Sequence, residues 1–370
     1  MPGLECTDKL LIVSVLERPA RIVLIETLLG LGGLASALPI SAQEPARPGS
    51  FREEARVERV IVDAYVTDRY GDPIPDLTAT DFRVRVDGKP VPLESAEWVP
   101  ADLPEIPIEA SLSAAPAGKP LTLAPPGRLI IFFFQTGFIP SRLSGLVRMS
   151  LQARRFLDTL LPTDRVAVIS YDSHLKLRQD FTADHQKIED ALYDSIRTGD
   201  QAPIGDDAFP SISRHFDYEA AKDAATPERG LFVLARALAP IPGGKTMLFF
   251  GWGLGTVGGV SGPNLTERRD FGNALRALAA ARTNIFTLDV TDADYHTLEA
   301  HLQTMSELTG GTYQKTHIFP SLAMDRVRRA ISGRYVLVFV KPEGPRGQHT
   351  IEVKLAGRKG EVNARQYYDD

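Results

Sequence analysis

One run of apolar residues narrows the possible folds of this chain more than any other feature. Residues 129–134 read Leu-Ile-Ile-Phe-Phe-Phe, and Gln-Thr-Gly-Phe-Ile follows directly at 135–139. A continuous apolar run of this length predicts a central strand of a parallel sheet, because such strands are covered on both faces. Open α/β sheets bind ligands at the carboxyl edge of their strands. We therefore expect a binding edge at residues 135–139, although it contains no carboxylate.

Strand and helix patterns alternate over residues 128–332. Apolar runs recur at 165–171, 245–250 and 284–290, and segments with apolar residues three and four positions apart separate them. Such alternation is typical of repeated βα units. It predicts an α/β fold, with a doubly wound, mostly parallel, Rossmann-like sheet and helices on both faces.

The segments on either side of this α/β pattern alternate between apolar and polar residues, as β strands do. Residues 51–100 and 333–370 both contain short alternating segments separated by turn signals. We expect them to pack together as one small all-β module into which the α/β domain is inserted. Two independent sheets are the alternative. Residues 101–127 contain six prolines, so they are predicted to form an extended linker.

The first 42 residues have the pattern of an export signal. Arg18 and Arg21 precede an apolar run at 22–38, and the small residue Ala42 ends a site that signal peptidase accepts. We predict cleavage after Ala42 and a secreted or periplasmic mature protein. A buried N-terminal helix and an uncleaved membrane anchor remain alternatives, since the run approaches the length that spans a bilayer.

Charge and cysteine content exclude several classes of protein. The formal net charge is −5, with basic and acidic residues interspersed, so the basic face that nucleic-acid binding requires is missing. The single cysteine, Cys6, excludes an internal disulfide framework and a zinc site of several cysteines. Cleavage after Ala42 would leave no thiol, which suits an oxidising compartment.

Several short motifs in a fixed order resemble one family. They are Val-Asp-Ala-Tyr-Val-Thr-Asp at 62–68, Leu-Thr-Ala-Thr-Asp-Phe at 77–82, Leu-Leu-Pro-Thr-Asp-Arg-Val-Ala-Val at 160–168, Asp-Phe-Thr-Ala-Asp at 180–184 and Ala-Arg-Gln-Tyr-Tyr at 364–368. Together they closely resemble the bacterial secreted proteins related to von Willebrand factor A (VWA). The resemblance covers roughly residues 55–370 and implies a VWA-like domain.

The VWA family usually holds a divalent cation at the carboxyl edge of the sheet, in a metal-ion-dependent adhesion site (MIDAS). Its first loop supplies Asp-x-Ser-x-Ser and its third loop an Asp. The resemblance places Gln135, Gly137 and Ile139 in the first loop and Gly251 or Trp252 in the third. Because Mg²⁺ prefers charged oxygen ligands, the resemblance implies a degenerate site without bound metal.

Without a cation, this edge is expected to be neutral, apolar and aromatic, as protein interfaces often are. The binding candidates are Gln135, Thr136, Phe138, Ile139, Trp252 and Leu254. In an alternative interpretation, these side chains only cover the edge of the sheet. We predict a non-enzymatic exported protein for protein–protein binding or envelope assembly, with no cofactor. Its partner would be an unknown protein in the cell envelope or outside the cell, and a membrane only if the N-terminal segment is uncleaved.

Two other functions stay open. Residues 253–258, Gly-Leu-Gly-Thr-Val-Gly, have dinucleotide-binding spacing, and Asp289 ends the next strand, which would suit a nucleotide-dependent enzyme. The glycines do not open a helix, however, so they predict a flexible loop. The other alternative is a metal-dependent adhesion domain with unconventional ligands.

The remaining polar residues give no catalytic set. Asp289, Asp292 and Asp294 are interpreted as solvated or helix-capping residues, with a cation site as the alternative. The scattered histidines, including His296 and His301, are interpreted as surface residues. Neither GxSxG nor HExxH occurs in the sequence. We therefore predict no catalytic residues.

Overall fold

The computed structural model describes residues 58–102, 127–137, 139–197, 204, 209–257, 265–266, 270–293 and 295–370, all within one compact unit, Arg56–Asp370. The predicted signal peptide, most of the predicted linker and the binding candidate Phe138 lie outside the described residues. The strands are β1 Arg59–Thr67, β2 Phe82–Val86, β3 Lys89–Val91, β4 Ser95–Pro100, β5 Leu129–Gln135, β6 Arg165–Tyr171, β7 Leu175–Thr182, β8 Lys245–Gly251, β9 Thr256–Val257, β10 Leu265–Thr266, β11 Thr283–Asp289, β12 Tyr313–Lys315, β13 Gly333–Val340, β14 Gln348–Leu355, β15 Glu361–Ala364 and β16 Tyr367–Asp369. The helices are α1 Pro140–Leu157, α2 His185–Ser195, α3 Tyr218–Lys222, α4 Pro227–Leu238, α5 Asp270–Ala280, α6 Glu299–Thr309 and α7 Pro320–Ala330.

A six-stranded sheet forms the centre of the α/β part, in the order β12-β11-β8-β5-β6-β7. Neighbouring strands are parallel except β6 and β7. The chain runs from β5 outward to β7, and then from β8 outward to β12 on the other side. The connections after β5 and β8 therefore lead to helices on opposite faces, the kind of switch point at which open α/β sheets often bind ligands. The predicted fold class, a mostly parallel α/β sheet with helices, is confirmed.

Strand β5 is central and covered on both faces, as its sequence predicts. Leu129 and Phe133 belong to the core layer that contains α4 and α5, whereas Ile130 and Phe134 belong to the layer that contains α1. Phe133 and Phe134 stack on the two phenylalanines of β8, with ring centroids 4.9 Å and 4.5 Å apart. Aromatic pairs of this kind stabilise a core beyond the area that they bury, so β5 and β8 form a rigid base for the carboxyl edge of the sheet.

Strands from both ends of the described chain form two antiparallel sheets, β15-β1-β13-β4 and β16-β14-β2-β3. Strand β1 lies between β13 and β15. The two sheets share an apolar core that includes Val62, Val84, Leu337 and Ile351. The prediction that terminal strands form one β module is confirmed, while the domain boundaries at residues 100, 127 and 332 stay predictions.

A buried group of charges joins this β module to the α/β part. Asp63 on β1 accepts hydrogen bonds from Nε and Nη2 of Arg282, at 2.9 and 2.7 Å, and from Nε of Arg334 at 2.9 Å. Burial alone would raise the pKa of the Asp63 carboxyl, but the two guanidinium groups outweigh it and hold that pKa well below its ordinary value. We call these three residues the Asp63 cluster.

Candidate binding edge at the ends of β5 and β8

The candidate site lies where two neighbouring strands end. Strand β5 ends at Gln135 and β8 ends at Gly251. Helix α1 begins at Pro140, which occupies the first helical turn where its missing N–H costs no hydrogen bond. The start of α1 therefore lies close in the chain to the carboxyl end of β5.

The amide of Gln135 holds the loop that follows β8. Its Nε2 donates to the carbonyl of Gly253 at 2.6 Å, and its Oε1 accepts from the backbone N–H groups of Trp252 and Gly253 at 3.0 and 3.3 Å. The side chain is only 1% exposed. Gln135 thus fixes the geometry of the edge from below, and its polar atoms are turned inward.

Two glycines stand where the VWA resemblance expects metal ligands. A Cβ on Gly251 would come within 2.2 Å of the Phe249 ring and 2.7 Å of Oε1 of Gln135, so an aspartate does not fit there. A Cβ on Gly137 would lie 3.0 Å from Nε1 of Trp252. Mg²⁺ is held by several oxygens, often charged ones. Because the amide oxygen of Gln135 already accepts two hydrogen bonds, the described residues of this edge do not fit a divalent cation.

Two further binding candidates are also buried. Thr136 is 5% exposed, and its hydroxyl donates to the carbonyl of Ser195 at 3.1 Å. Leu254 is 1% exposed, and its carbonyl lies 3.2 Å from Nδ1 of His301. These two side chains therefore offer almost no accessible surface, whereas His301, interpreted as a surface residue, is half-buried.

The accessible part of the edge is built by Ile139, Trp252 and a residue that the sequence does not single out, Arg142. Ile139 is 50% exposed, directly before α1. Trp252 is half-buried, and the guanidinium carbon of Arg142 lies 3.6 Å from the centroid of its ring. This distance is well within the range of a cation–π contact. The edge therefore carries a positive charge, which corrects the expectation of a neutral surface.

Exposed apolar side chains lie on three segments that follow the carboxyl ends of β5, β11 and β12. They come from the start of α1, from the loop after β11, and from the start of α7 with the loop before it, and we call them the apolar rim: Ile139, Leu143, Tyr295, Ile318, Phe319 and Leu322. Asp292 joins two of the segments, because its carboxylate binds Ser144 at 2.9 Å and Arg148 at 2.7 Å. Polar contacts therefore connect α1 to the loop after β11.

Asp289, at the end of β11, is the centre of a buried polar network. It accepts hydrogen bonds from Tyr313 at 2.6 Å and from the N–H and hydroxyl of Thr291, and its Oδ2 lies 2.7 Å from Nε2 of His296. Burial alone would raise the pKa of the Asp289 carboxyl, but these hydrogen bonds outweigh it and keep that pKa below its ordinary value. The interpretation of Asp289 as solvated is therefore wrong, whereas His296 is half-buried. Asp294 lies outside the described residues.

The same network contains three potential metal ligands. Asp289, His296 and Glu299 bring ligand atoms within 4.8 Å of one another. However, the ammonium group of Lys315 lies 3.1 Å from Glu299, and His296 is already paired with Asp289. A cation would have to replace these contacts, so the network is explained as a structural link between the ends of β11 and β12.

The glycine loop after β8 does not have the geometry of a dinucleotide-binding turn. Gly253 and Gly255 have φ angles of +144° and +83°, and the chain then enters β9, which pairs with β10 rather than opening a helix. The N–H of Gly255 donates to Glu228 at 2.5 Å. The Glu228 carboxylate thus already binds a backbone N–H that a phosphate would need. Gly258 lies outside the described residues.

Comparisons with known proteins bear on the fold. No family model matches the sequence, and no curated protein matches it either. Several solved structures match. A von Willebrand factor type A protein from Catenulispora acidiphila is 10% identical with a TM-score of 0.38, over 85% of this chain and 74% of that one.

Two other matched structures are bacterial. BatB from Bacteroides thetaiotaomicron is 11% identical with a TM-score of 0.36, over 55% of this chain and 99% of that one. The PilB minor pilin from Streptococcus sanguinis is 11% identical with a TM-score of 0.35, over 58% of this chain and 63% of the pilin, which is less than two thirds of the pilin's length. The matched structures thus include the family that the sequence resembles, and no activity follows from the likeness. No helix among the described residues is long and apolar enough to cross a membrane.

Proposed function

We propose that this chain is a non-enzymatic, exported protein that binds a protein partner at the carboxyl edge of its sheet, without a divalent cation. The apolar rim is the observation that carries the proposal. Its side chains are exposed on three segments that follow the carboxyl ends of neighbouring strands, and Phe319 is 63% exposed. Grouped exposed apolar side chains favour a protein interface, because isolated surfaces seldom present them together.

The polar groups beneath the rim support binding rather than catalysis. A nucleophile needs a base within hydrogen-bond reach. Here the side chains of Gln135 and Thr136 are buried and bonded to backbone groups. Their role is to hold the edge in place.

Site-specific photo-crosslinking tests the interface. A photoreactive residue at Ile139 or Phe319 should capture the same protein from the native cell envelope or medium, since both positions belong to the apolar rim. Tyr193 on α2 is the control position, because it is 62% exposed but outside the rim. Equal capture from Tyr193, or none from the two rim positions, would contradict the proposed interface.

The export part of the proposal rests on the pattern of residues 1–42. Sequencing the N-terminus of the mature protein from its native host should give Gln43 as the first residue. An intact N-terminus recovered with the membrane fraction would show an anchor instead.

Ligand titrations test the absence of a cation and of a nucleotide. Calorimetric titration of the mature protein with Mg²⁺, Mn²⁺ or Ca²⁺ should give no saturable heat, and a one-site isotherm that Gln135→Ala abolishes would overturn the metal-free proposal. Thermal-shift measurements with NAD, NADP and ATP should show no stabilisation. A ligand present at 100 times its dissociation constant would add about 2.7 kcal/mol, which such measurements detect.

A further inference from the structure

A groove lies between α1 and α2 on the solvent-facing side of the α/β part, and we call it the α1–α2 groove. It has a volume of about 390 Å³. Its apolar lining is exposed, because Val147 and Leu151 of α1 are 41% and 51% exposed and Tyr193 of α2 is 62% exposed. Leu151 follows Val147 by four positions, so the two side chains form one stripe along the helix. Grouped exposed apolar side chains favour an interface with another molecule.

The two helices that border the groove carry opposite charges. Helix α1 has four arginines and no acidic residue, whereas α2 has three acidic residues and one lysine. An ion pair crosses the groove within the chain, with Nη2 of Arg154 lying 2.7 Å from Oε2 of Glu189. Their neighbours Arg155 and Asp190 are exposed and have no ion pair with any described residue. Each helix therefore keeps an unpaired charge, which is positive on α1 and negative on α2.

A surface with an apolar centre and both signs of charge is complementary to a copy of itself. In a two-fold dimer, one patch faces the same patch of the partner, and each contact occurs twice. A two-fold axis along the groove places α1 of one copy on α2 of the other. The ion pair within the chain shows that Arg154 and Glu189 lie at the same height along the groove. Arg155 of one copy is therefore brought close to Asp190 of the other.

We propose that the α1–α2 groove is the interface of a two-fold homodimer, in which the basic helix α1 of each copy packs on the acidic helix α2 of the other. Leu151 and Tyr193 form its apolar centre, and Arg155 and Asp190 form ion pairs between the copies. Charge complementarity identifies a second copy as the occupant, because the acidic residues of α2 would repel an anionic membrane surface or a nucleic acid. The groove shares no residue with the apolar rim, so the dimer goes beyond the proposed function.

Sedimentation equilibrium of the purified protein tests the dimer. The measured mass should rise with concentration towards twice that of one chain. Leu151→Asp should weaken the association about tenfold or more, because each dimer loses two buried apolar side chains. Phe319→Asp is the matched control, since it places the same charge at a similarly exposed apolar position of the rim, and it should leave the association unchanged. Equal association of the native protein and Leu151→Asp would overturn the proposal.

Exchanging the charges tests how the helices are paired. Arg155→Glu and Asp190→Arg should each weaken the association about fivefold or more, because each places like charges opposite one another twice in the dimer. The variant with both substitutions should recover the association, since the pair is restored with its signs exchanged. This recovery also shows that the substituted chains are folded. A double variant that associates no better than the weaker single variant would overturn the proposed interface.

Photo-crosslinking distinguishes a second copy from other occupants of the groove. A photoreactive residue at Tyr193 should link two copies of this chain, and mass spectrometry separates that product from a partner captured at Ile139 and Phe319. A protein that stays monomeric at every concentration, or a Tyr193 crosslink to a different protein or within one chain, would refute the dimer and leave the proposed function standing. A dimer without partner crosslinks at the two rim positions would support the dimer and refute the proposed function.

Discussion

The Asp63 cluster and the contact between Arg142 and Trp252 both contain arginine, but the surroundings of its charge differ between them. In the Asp63 cluster, one buried carboxylate accepts three hydrogen bonds from Arg282 and Arg334. On α1, in contrast, Arg142 contacts the ring of Trp252 and no described carboxylate. The first arrangement pairs a carboxylate with guanidinium groups, whereas the second holds a guanidinium against an aromatic ring.

The charges of the Asp63 cluster therefore stabilise the fold, whereas the charge of Arg142 is not paired with a described carboxylate. Removing one member of a buried ion pair leaves the other buried and uncompensated, which is costly. Removing a cation that contacts only an aromatic ring leaves no opposite charge uncompensated. The two regions should therefore respond differently to matched substitutions.

The largest effect is expected in the Asp63 cluster. Asp63→Asn should lower the free energy of unfolding by about 3–5 kcal/mol, because Arg282 and Arg334 lose their carboxylate. Urea denaturation measures this. Asp292→Asn, which breaks the more exposed pair with Arg148, is the control and should cost less than about 1 kcal/mol. Equal losses in the two variants would remove the distinction between the buried and surface pairs.

The pH dependence of the free energy of unfolding should reveal the contribution of Asp63. The pKa of Asp63 is lowered by folding, so its contribution is fully present above the unfolded value of about 3.9 and is lost as the pH falls through the folded value. The stability difference between the native protein and Asp63→Asn should be constant from about pH 5 to 8 and shrink below about pH 4. Denaturation curves at pH 3, 5 and 7 test this. A difference that grows on acidification would contradict the assigned direction.

A smaller effect is expected at the end of β8. Gly251→Ala should destabilise the protein by about 1–3 kcal/mol, because the added Cβ meets Phe249 and the amide of Gln135. Gly344→Ala is the matched control, since its nearest neighbour would be 3.9 Å away. Thermal unfolding compares the two. A neutral Gly251→Ala variant would mean that the edge can accept a side chain, and with it a metal ligand.

The smallest effect on stability is expected at Arg142. Arg142→Gln should lower the free energy of unfolding by about 0.5–1 kcal/mol, because only the cation–π contact with Trp252 is lost. Denaturation under the conditions used for Asp63→Asn gives the comparison. A loss of several kcal/mol would instead make Arg142 a structural residue.

Local patterns in the sequence were sufficient for much of the fold. Six consecutive apolar residues predict a strand covered on both faces, and β5 is such a strand. The alternation in residues 51–100 and 333–370 predicts paired strands, which form the β module. The Asp63 cluster could not be predicted in this way, because its partners lie 219 and 271 positions away along the chain.

The candidate site was less predictable for the same physical reason. The burial of Gln135, Thr136 and Leu254 depends on which loops cover the strand ends, and periodicity gives no information about that. Arg142 has the pattern of an ordinary solvent-facing residue of a helix. Its significance comes from the ring of Trp252, which the neighbouring strand β8 brings to the same edge.

The position of β1 has a consequence for how the protein is made. Its two neighbours, β13 and β15, follow the entire α/β part in the chain. During synthesis, the central sheet can form once its last strand, β12, has emerged, but β1 must wait for both of its partners. Until then its two edges can pair with other chains. The segment after residue 332 therefore completes β1 and also ends the period in which the nascent protein is most exposed to aggregation.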